Sequence, residues 1–116
     1  MAYFTKAQRL VSKRDYSFVF QNASKIVTND FTVLYKKNNT GIARLGFALS
    51  KKKIPLASQR NRVKRILRED FRKQSLPAVD IVFLAKHNLQ HTNNALLRAK
   101  LGKVWQELTI LYLHKN

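Results

Sequence analysis

The chain has no cysteine, and its 116 residues include only six acids, three glycines and two prolines. Without cysteine there is no disulfide frame and no thiolate zinc site. Three glycines are too few for a loop that cradles a nucleotide. No apolar stretch approaches the length of a membrane span, and no signal-like apolar run stands near the first residues. A soluble cytoplasmic protein with no membrane partner is expected. The acids Asp15, Asp30, Glu69, Asp70, Asp80 and Glu107 are scattered. Glu69 and Asp70 are adjacent and point about 100° apart on a helix, a poor metal clamp. His87 and His91 stand four apart in a loop-like segment with no acidic third ligand near. No Ser or Thr has a base and an orienting group arranged with it. No catalytic residue and no metal ligand is therefore assigned, and any chemistry is expected to come from another molecule.

What the chain has instead is positive charge. Lys and Arg number 23, the formal net charge is +17 and the pI is about 10.8. Such an excess repels itself, so stability is expected to be marginal without salt or a polyanion and to rise on binding one. A 45% apolar fraction with seven Phe, four Tyr and one Trp supplies a core. The length suits a single domain over residues 1–116, with 1–11 as a loosely ordered basic arm.

The expected order is helix, hairpin, basic helix, strand, helix: a small α+β sandwich with helices on a sheet. Ser12 can cap a first helix over about 13–23. Phe31–Tyr35 reads as a strand, Asn38–Gly41 as a turn, and Ala43–Ser50 as a second strand, the two forming a hairpin. Pro55 stands near the start of the basic helix, where a missing N–H costs little. Asp80–Ala85 is an apolar run suited to a central strand covered on both faces. Thr92 or Asn93 then caps a long last helix with Leu97, Leu101, Val104, Leu108 and Leu111 on one side.

The segment Lys51–Lys73 holds ten of the 23 basic residues and two of the six acids. At about 100° per residue, Arg60, Asn61, Lys64, Arg65, Arg68 and Arg72 fall within an arc of about 140°. Val63, Ile66, Leu67 and Phe71 fall on the other side, spread over a similar arc that overlaps the first at its Arg60 edge. One face can thus be buried and the other displayed. The displayed face is rich in Arg, which meets phosphate in planar, bidentate fashion. Asn61 among the cations can read a base edge or a 2′-hydroxyl, or be a plain solvated polar residue. Lys51, Lys52 and Lys53 lead into the helix N-terminus, which also favours an anion. A solvated charged face would leave seven cations between Arg60 and Lys73 with only Glu69 and Asp70 as local partners. RNA or DNA is the simplest partner.

A second surface is suggested by aromatic and small residues. Tyr16 and Phe20 share one face of the first helix, and Phe18 lies across from them, so either set can be the buried one. In the strands, Phe31, Val33 and Tyr35 alternate with Thr32, Leu34 and Lys36, and Gly46, Ala48 and Ser50 form a small-sided face. A small-sided face flanked by aromatics is a shallow platform on which unpaired bases stack.

The residues Arg60-Asn61-Arg62-Val63-Lys64-Arg65-Ile66-Leu67-Arg68-Glu69, preceded by Arg44-Leu45-Gly46-Phe47-Ala48-Leu49-Ser50-Lys51-Lys52, resemble the signature of the bacterial ribonuclease P protein component. Asp15–Phe20 resembles the family's first helix and Asp80–Lys86 its later strand. The resemblance covers about residues 9–110. It implies an auxiliary subunit of an endoribonuclease that removes the 5′ leader of precursor tRNA. A catalytic RNA would carry the active site and hold Mg²⁺, with no cofactor on the protein and no obligate protein partner. It implies a left-handed crossover, with the basic helix joining two parallel strands. It also implies contacts to catalytic RNA from Arg60, Asn61, Arg62, Lys64, Arg65 and Arg68, to which the charge pattern adds Lys51, Lys53 and Arg72. Leader contacts would come from Tyr16, Phe20, Thr32, Leu34, Ser50 and Lys52, to which the strand alternation adds Lys36. Tyr16 departs from the Phe common at its position, and Thr32 and Leu34 offer less stacking area than some relatives' aromatics. The competing readings are a ribosomal or other structural RNA-binding protein, a DNA-binding helix in a major groove, and a stand-alone nuclease. The second of these lacks a short preceding helix and turn.

Overall fold

The apolar run at residues 79–85 organises the sheet, because a strand that must bury both faces takes the centre. The computed structural model describes residues 6–114. After a short 3₁₀ turn (Lys6–Gln8) the order is α1 (Lys13–Phe20), β1 (Ser24–Val27), β2 (Phe31–Lys37), β3 (Arg44–Ala48), α2 (Ala57–Phe71), β4 (Val79–Ala85), a second 3₁₀ turn (His87–His91) and α3 (Asn94–His114). The sheet order is β1-β2-β4-β3. β4 runs antiparallel to β2 and parallel to β3.

The α+β class and helix-on-sheet layout hold, but the expected hairpin does not. β2 and β3 are not neighbours, since β4 lies between them. The Asn38–Gly41 turn joins them across that gap, and Asn38 donates to both the Ile42 carbonyl and the Asp80 carboxylate. The hairpin is β1–β2. The Thr28 N–H donates to the Phe31 carbonyl at 2.9 Å, and the Thr28 hydroxyl oxygen accepts from the Asp30 and Phe31 N–H groups. Such hydroxyl-to-backbone bonding builds a tight turn.

The crossover β3–α2–β4 is left-handed, by an argument from residue chirality. Consider β3 running upward, seen from the face that carries α2. An L-residue pointing at the viewer then has its N–H and C=O pointing right. Leu45 and Phe47 point toward α2, and their polar groups serve the outer edge: Leu45 O accepts from the Leu10 N–H, and the Phe47 N–H donates to the Tyr16 hydroxyl. The edge is thus on the right and β4 on the left, opposite to the usual hand.

α2 and α3 cover one sheet face. Val63, Ile66, Leu67 and Phe71 pack with Leu97, Leu101, Val104, Trp105 and Leu108 against Phe31, Val33, Leu45, Ile81 and Phe83. The N-cap of α2 is Leu56, which gives it no side-chain cap. Burial holds it instead: a cap is worth about 1 kcal/mol, and each of its four buried apolar side chains about 1.5–3 kcal/mol. α1 covers part of the other face through Val19, which packs with Leu10, Leu34 and Val82. Ser12 and Asp15 form a capping box at its start, and Lys36 Nζ donates to the Phe18 and Gln21 carbonyls at its end. α1 is therefore shorter than the expected 13–23. Leu10 is 5% exposed and Arg9 pairs with Leu45, so the arm is docked by residue 9. Residues 1–5 of the expected basic arm lie outside the described residues.

The acids are taken up inside this frame. Asp80, fully buried, receives Arg44 through two donors at 2.7 and 2.6 Å. Asp30 pairs with Lys100, Glu69 with Arg98, and Asp70 accepts from Trp105 Nε1 at 2.6 Å. These bonds tie α3 to α2 and to the β1–β2 turn.

Candidate nucleic-acid interface

The basic face of α2 points away from the sheet, because the four apolar residues that alternate with it are held by the core. Among the seven cations from Arg60 to Lys73, Arg65 has a carboxylate within reach, Glu69 at 3.6 Å. The Glu69 carboxyl sits below its usual pKa, chiefly because Arg98 hydrogen-bonds it, with Arg65 adding to the pull. Asp70 accepts from Trp105 and forms no ion pair with these cations. Lys51, Lys52, Lys53, Arg65, Arg68, Arg72 and Lys73 are exposed, and so is Asn61. Arg68 lies over the Phe47 ring at 5.3 Å, a cation–π contact that steadies its stem while leaving the charge outward.

Two residues of this set have structural work. Arg60 donates to the Ile54 and Pro55 carbonyls at 2.7 and 2.9 Å and so closes the loop that leads into α2. Arg62 donates through Nε to Gln59 and through Nη1 to Asn94 at the start of α3. Helical spacing allows the Arg62–Gln59 pair, three residues apart, but gives no signal for Asn94 on another helix or for the carbonyls before α2.

On the α1 side, strand register sets side chains in rows: Val27–Thr32–Leu84–Ala48, then Lys25–Leu34–Val82–Gly46, then Lys36–Asp80–Arg44. α1 crosses the last two rows. Its start meets β3, where Asp15 approaches Arg44 at 3.6 Å and Tyr16 meets Phe47. Its end meets β2 through Lys36. Burial pushes the Asp15 pKa up, but the Val11 and Ser12 N–H groups and Arg44 outweigh it, so it lies below the ordinary carboxylate value. Arg44 is held charged first by its hydrogen bonds to Asp80.

The first row stays open: Val27 is 61% exposed, and Thr32, Leu84 and Ala48 are half-buried. Tyr16 packs against the same small core as Ala48 and Leu84 of this row, and Phe20 stands beside it on α1, their rings 6.5 Å apart at 27°. The Tyr16 hydroxyl accepts from the Phe47 N–H at 3.0 Å, a donor that faces the sheet's outer edge. A Cβ on Gly46 would meet that hydroxyl at 2.7 Å, so the close approach of Tyr16 requires glycine there. Ser50 and Lys52 are exposed just past Ala48, the β3 residue of this row, where a turn at Ser50 turns the chain from β3 toward α2. The groove and the cationic face therefore meet at this loop.

These surfaces belong to a known family. A family model described as Ribonuclease P matches residues 4–109. The chain belongs to the ribonuclease P protein family. It is 53% identical to the ribonuclease P protein component of Legionella pneumophila strain Lens over 109 residues, which cover 94% of this chain and 96% of that one. It is 40% identical to the component of Pseudoalteromonas atlantica, covering 90% of this chain and 89% of the other. The Staphylococcus aureus RNase P protein structure matches with a TM-score of 0.82 at 26% identity, covering 90% of this chain and 99% of that one.

For this ribonuclease P protein, several leader-site expectations need correction. Leu34 is 5% exposed beneath α1 and has no open surface to offer a ligand. Lys36 is turned to the far side, where it caps α1 and lies 4.1 Å from the Phe18 ring. Neither Phe18 nor the Tyr16–Phe20 pair holds the buried position of α1; Val19 does. Tyr16 and Phe20 stand together on α1, Thr32 lies in the open row, and Ser50 and Lys52 are exposed in the turn after β3. Val27, Leu84 and Ala48 complete the floor, and only the strand register identifies Val27 and Leu84. Among the described residues no three His, Asp or Glu side chains gather into a metal site.

Proposed function

We propose that this ribonuclease P protein works through two surfaces at once: the α2 face docks the catalytic RNA, and the α1 groove holds the single-stranded 5′ leader of precursor tRNA. Lys51, Lys53, Asn61, Arg62, Lys64, Arg65, Arg68 and Arg72 meet phosphates and backbone shape, the way structured RNA is usually read. Arg60 adds charge while its donors close the loop before α2. Tyr16 and Phe20 stack on bases, Thr32 with Leu84 and Ala48 forms the floor, and Ser50 and Lys52 hold the backbone at the rim. Mg²⁺ belongs to the RNA in this reading, because Asp15, Asp30, Glu69 and Asp80 are paired with the protein's own cations and Asp70 with Trp105; no step is routed through a metal on this chain. Gripping the leader adds binding energy away from the scissile bond and helps align it. Mature tRNA has no leader to grip, so the groove favours precursor over product. Cleavage takes place in the cytoplasm.

The observation that carries this reading is the placement of an acid-poor cationic helix and an aromatic-walled groove on opposite faces of one sheet, meeting at the Ser50–Lys53 turn. The test pairs two double variants in folded protein. Arg62→Ala with Arg65→Ala is expected to weaken assembly with the catalytic RNA. Tyr16→Ala with Phe20→Ala is expected to weaken precursor binding and spare assembly. The same defect from both would refute a division of labour. A structural RNA-binding role without cleavage predicts no stimulation of the catalytic RNA at low Mg²⁺, whereas this reading predicts clear stimulation.

A further inference from the structure

The sequence leaves Arg62 as one arginine among many on the basic helix, but its surroundings set it apart. It lies on a shallow groove of about 610 Å³ between α2, the second 3₁₀ turn and the start of α3. Gln59, Gln90, His91, Asn93 and Asn94 line this groove with it, and no carboxylate does. Arg62 gives Nε to Gln59 Oε1 at 2.9 Å and Nη1 to Asn94 Oδ1 at 2.7 Å. Arginine only donates, so both amides must turn their oxygens toward it. Of the five guanidinium N–H groups two are thus engaged, leaving three, including both on Nη2. Both acceptors are neutral, so the full positive charge remains for a ligand. Arg65 is different: it faces Glu69.

We propose that this α2–α3 groove is a phosphodiester subsite for the partner RNA, in which Asn94 and Gln59 are positioning residues for Arg62. They hold the guanidinium plane in one orientation before RNA arrives, so less side-chain freedom is lost on binding. The amide and imidazole groups of Gln90, His91 and Asn93 then face the sugar edge, where a 2′-hydroxyl can donate or accept. This inference rests on the docking role of α2 and extends that surface onto α3.

The experiment measures the affinity of the full-length protein for its cognate catalytic RNA against salt concentration, together with thermal unfolding. Asn94→Ala is expected to weaken binding about fivefold to tenfold, the size of one ordinary hydrogen bond's contribution. In an Arg62→Ala background the same change is expected to cost nothing further, because there is no guanidinium left to orient. Asn94→Asp gives the decisive contrast. It sits at a helix start and pairs with Arg62, so melting should stay at or above the parent's. RNA affinity should fall below that of Asn94→Ala, with a salt slope shallower by about one. A merely structural Asn94 would not separate the two readouts. The inference is overturned if Asn94→Asp binds RNA like the parent, or if the Asn94→Ala loss persists in the Arg62→Ala background. Lys64→Ala with Arg68→Ala serves as the reference. If that pair also leaves RNA affinity unchanged, the docking role of α2 fails and this subsite fails with it; if the pair weakens binding while the Asn94 variants do not, only the subsite is refuted.

Discussion

Adding one methyl group at Gly46 tests how the groove is built. An alanine Cβ there would lie 2.7 Å from the Tyr16 hydroxyl, 2.8 Å from its Cζ and 3.0 Å from Leu10 Cβ. Carbon contacts are comfortable at about 3.5–4 Å, so the Tyr16 ring must retreat by about 1 Å. That retreat breaks the 3.0 Å bond from the Phe47 N–H. Overpacking of this kind costs about 1–3 kcal/mol, and the lost hydrogen bond adds about 1 kcal/mol. Gly46→Ala is thus expected to lose about 2–4 kcal/mol, a large share of the 5–15 kcal/mol typical of a domain. Denaturant unfolding of the single and double variants measures this. In a Tyr16→Ala background the cost should shrink to about 1 kcal/mol or less, since only Leu10 remains in the way. The displaced ring should also loosen the leader site, so affinity for precursor should fall relative to mature tRNA. A stability change under about 0.5 kcal/mol with unchanged precursor preference would refute the reasoning.

Other outcomes follow from the same contacts. Asp80→Asn takes from the half-buried Arg44 its hydrogen-bonded carboxylate, leaving it only Asp15 at 3.6 Å, and is expected to cost about 1.5–3 kcal/mol by thermal or urea unfolding. Asp15 and Glu69 both have folded pKa values below their ordinary ones. Their stabilisation is present above the unfolded values near about 4 and is lost as the pH falls through the lower folded values. Acid melts should therefore steepen below about pH 4, and Glu69→Gln should flatten part of that fall. Leu10→Ala should cost about 2–4 kcal/mol if the segment before α1 is docked as described, and almost nothing if it is a loose arm.

The parts of the fold visible in sequence are those set by local chemistry. The Ser12 cap, the two-sided pattern of α2 and the apolar run of β4 depend on neighbours within a few positions. Strand partners do not. The Asn38–Gly41 turn suggested a hairpin, but hairpin formation is decided by whether another strand fits between, and the Asp80–Ala85 run is long and apolar enough to do so. β1 was missed because Ser24–Val27 is only four residues long with a single buried side chain, Ile26. The site followed the same division. The cationic arc was legible because helical geometry is local. The fates of Arg60, Arg62, Lys36 and Leu34 were not, because a carbonyl, an amide or a covering helix from elsewhere in the chain decides each of them.

The claim on which the account depends is that the outer face of α2 neutralises RNA phosphates, and the dependence of affinity on salt tests it most directly. Lys51, Lys52, Lys53, Arg62, Lys64, Arg68, Arg72 and Lys73 have no carboxylate partner among the described residues. Engagement of most of them predicts a slope of log affinity against log salt of roughly −5 to −7 for the cognate catalytic RNA. Changing Lys64, Arg68 and Arg72 together to alanine should make that slope shallower by about two to three while the protein stays folded. An unchanged slope in the folded triple variant would contradict the account.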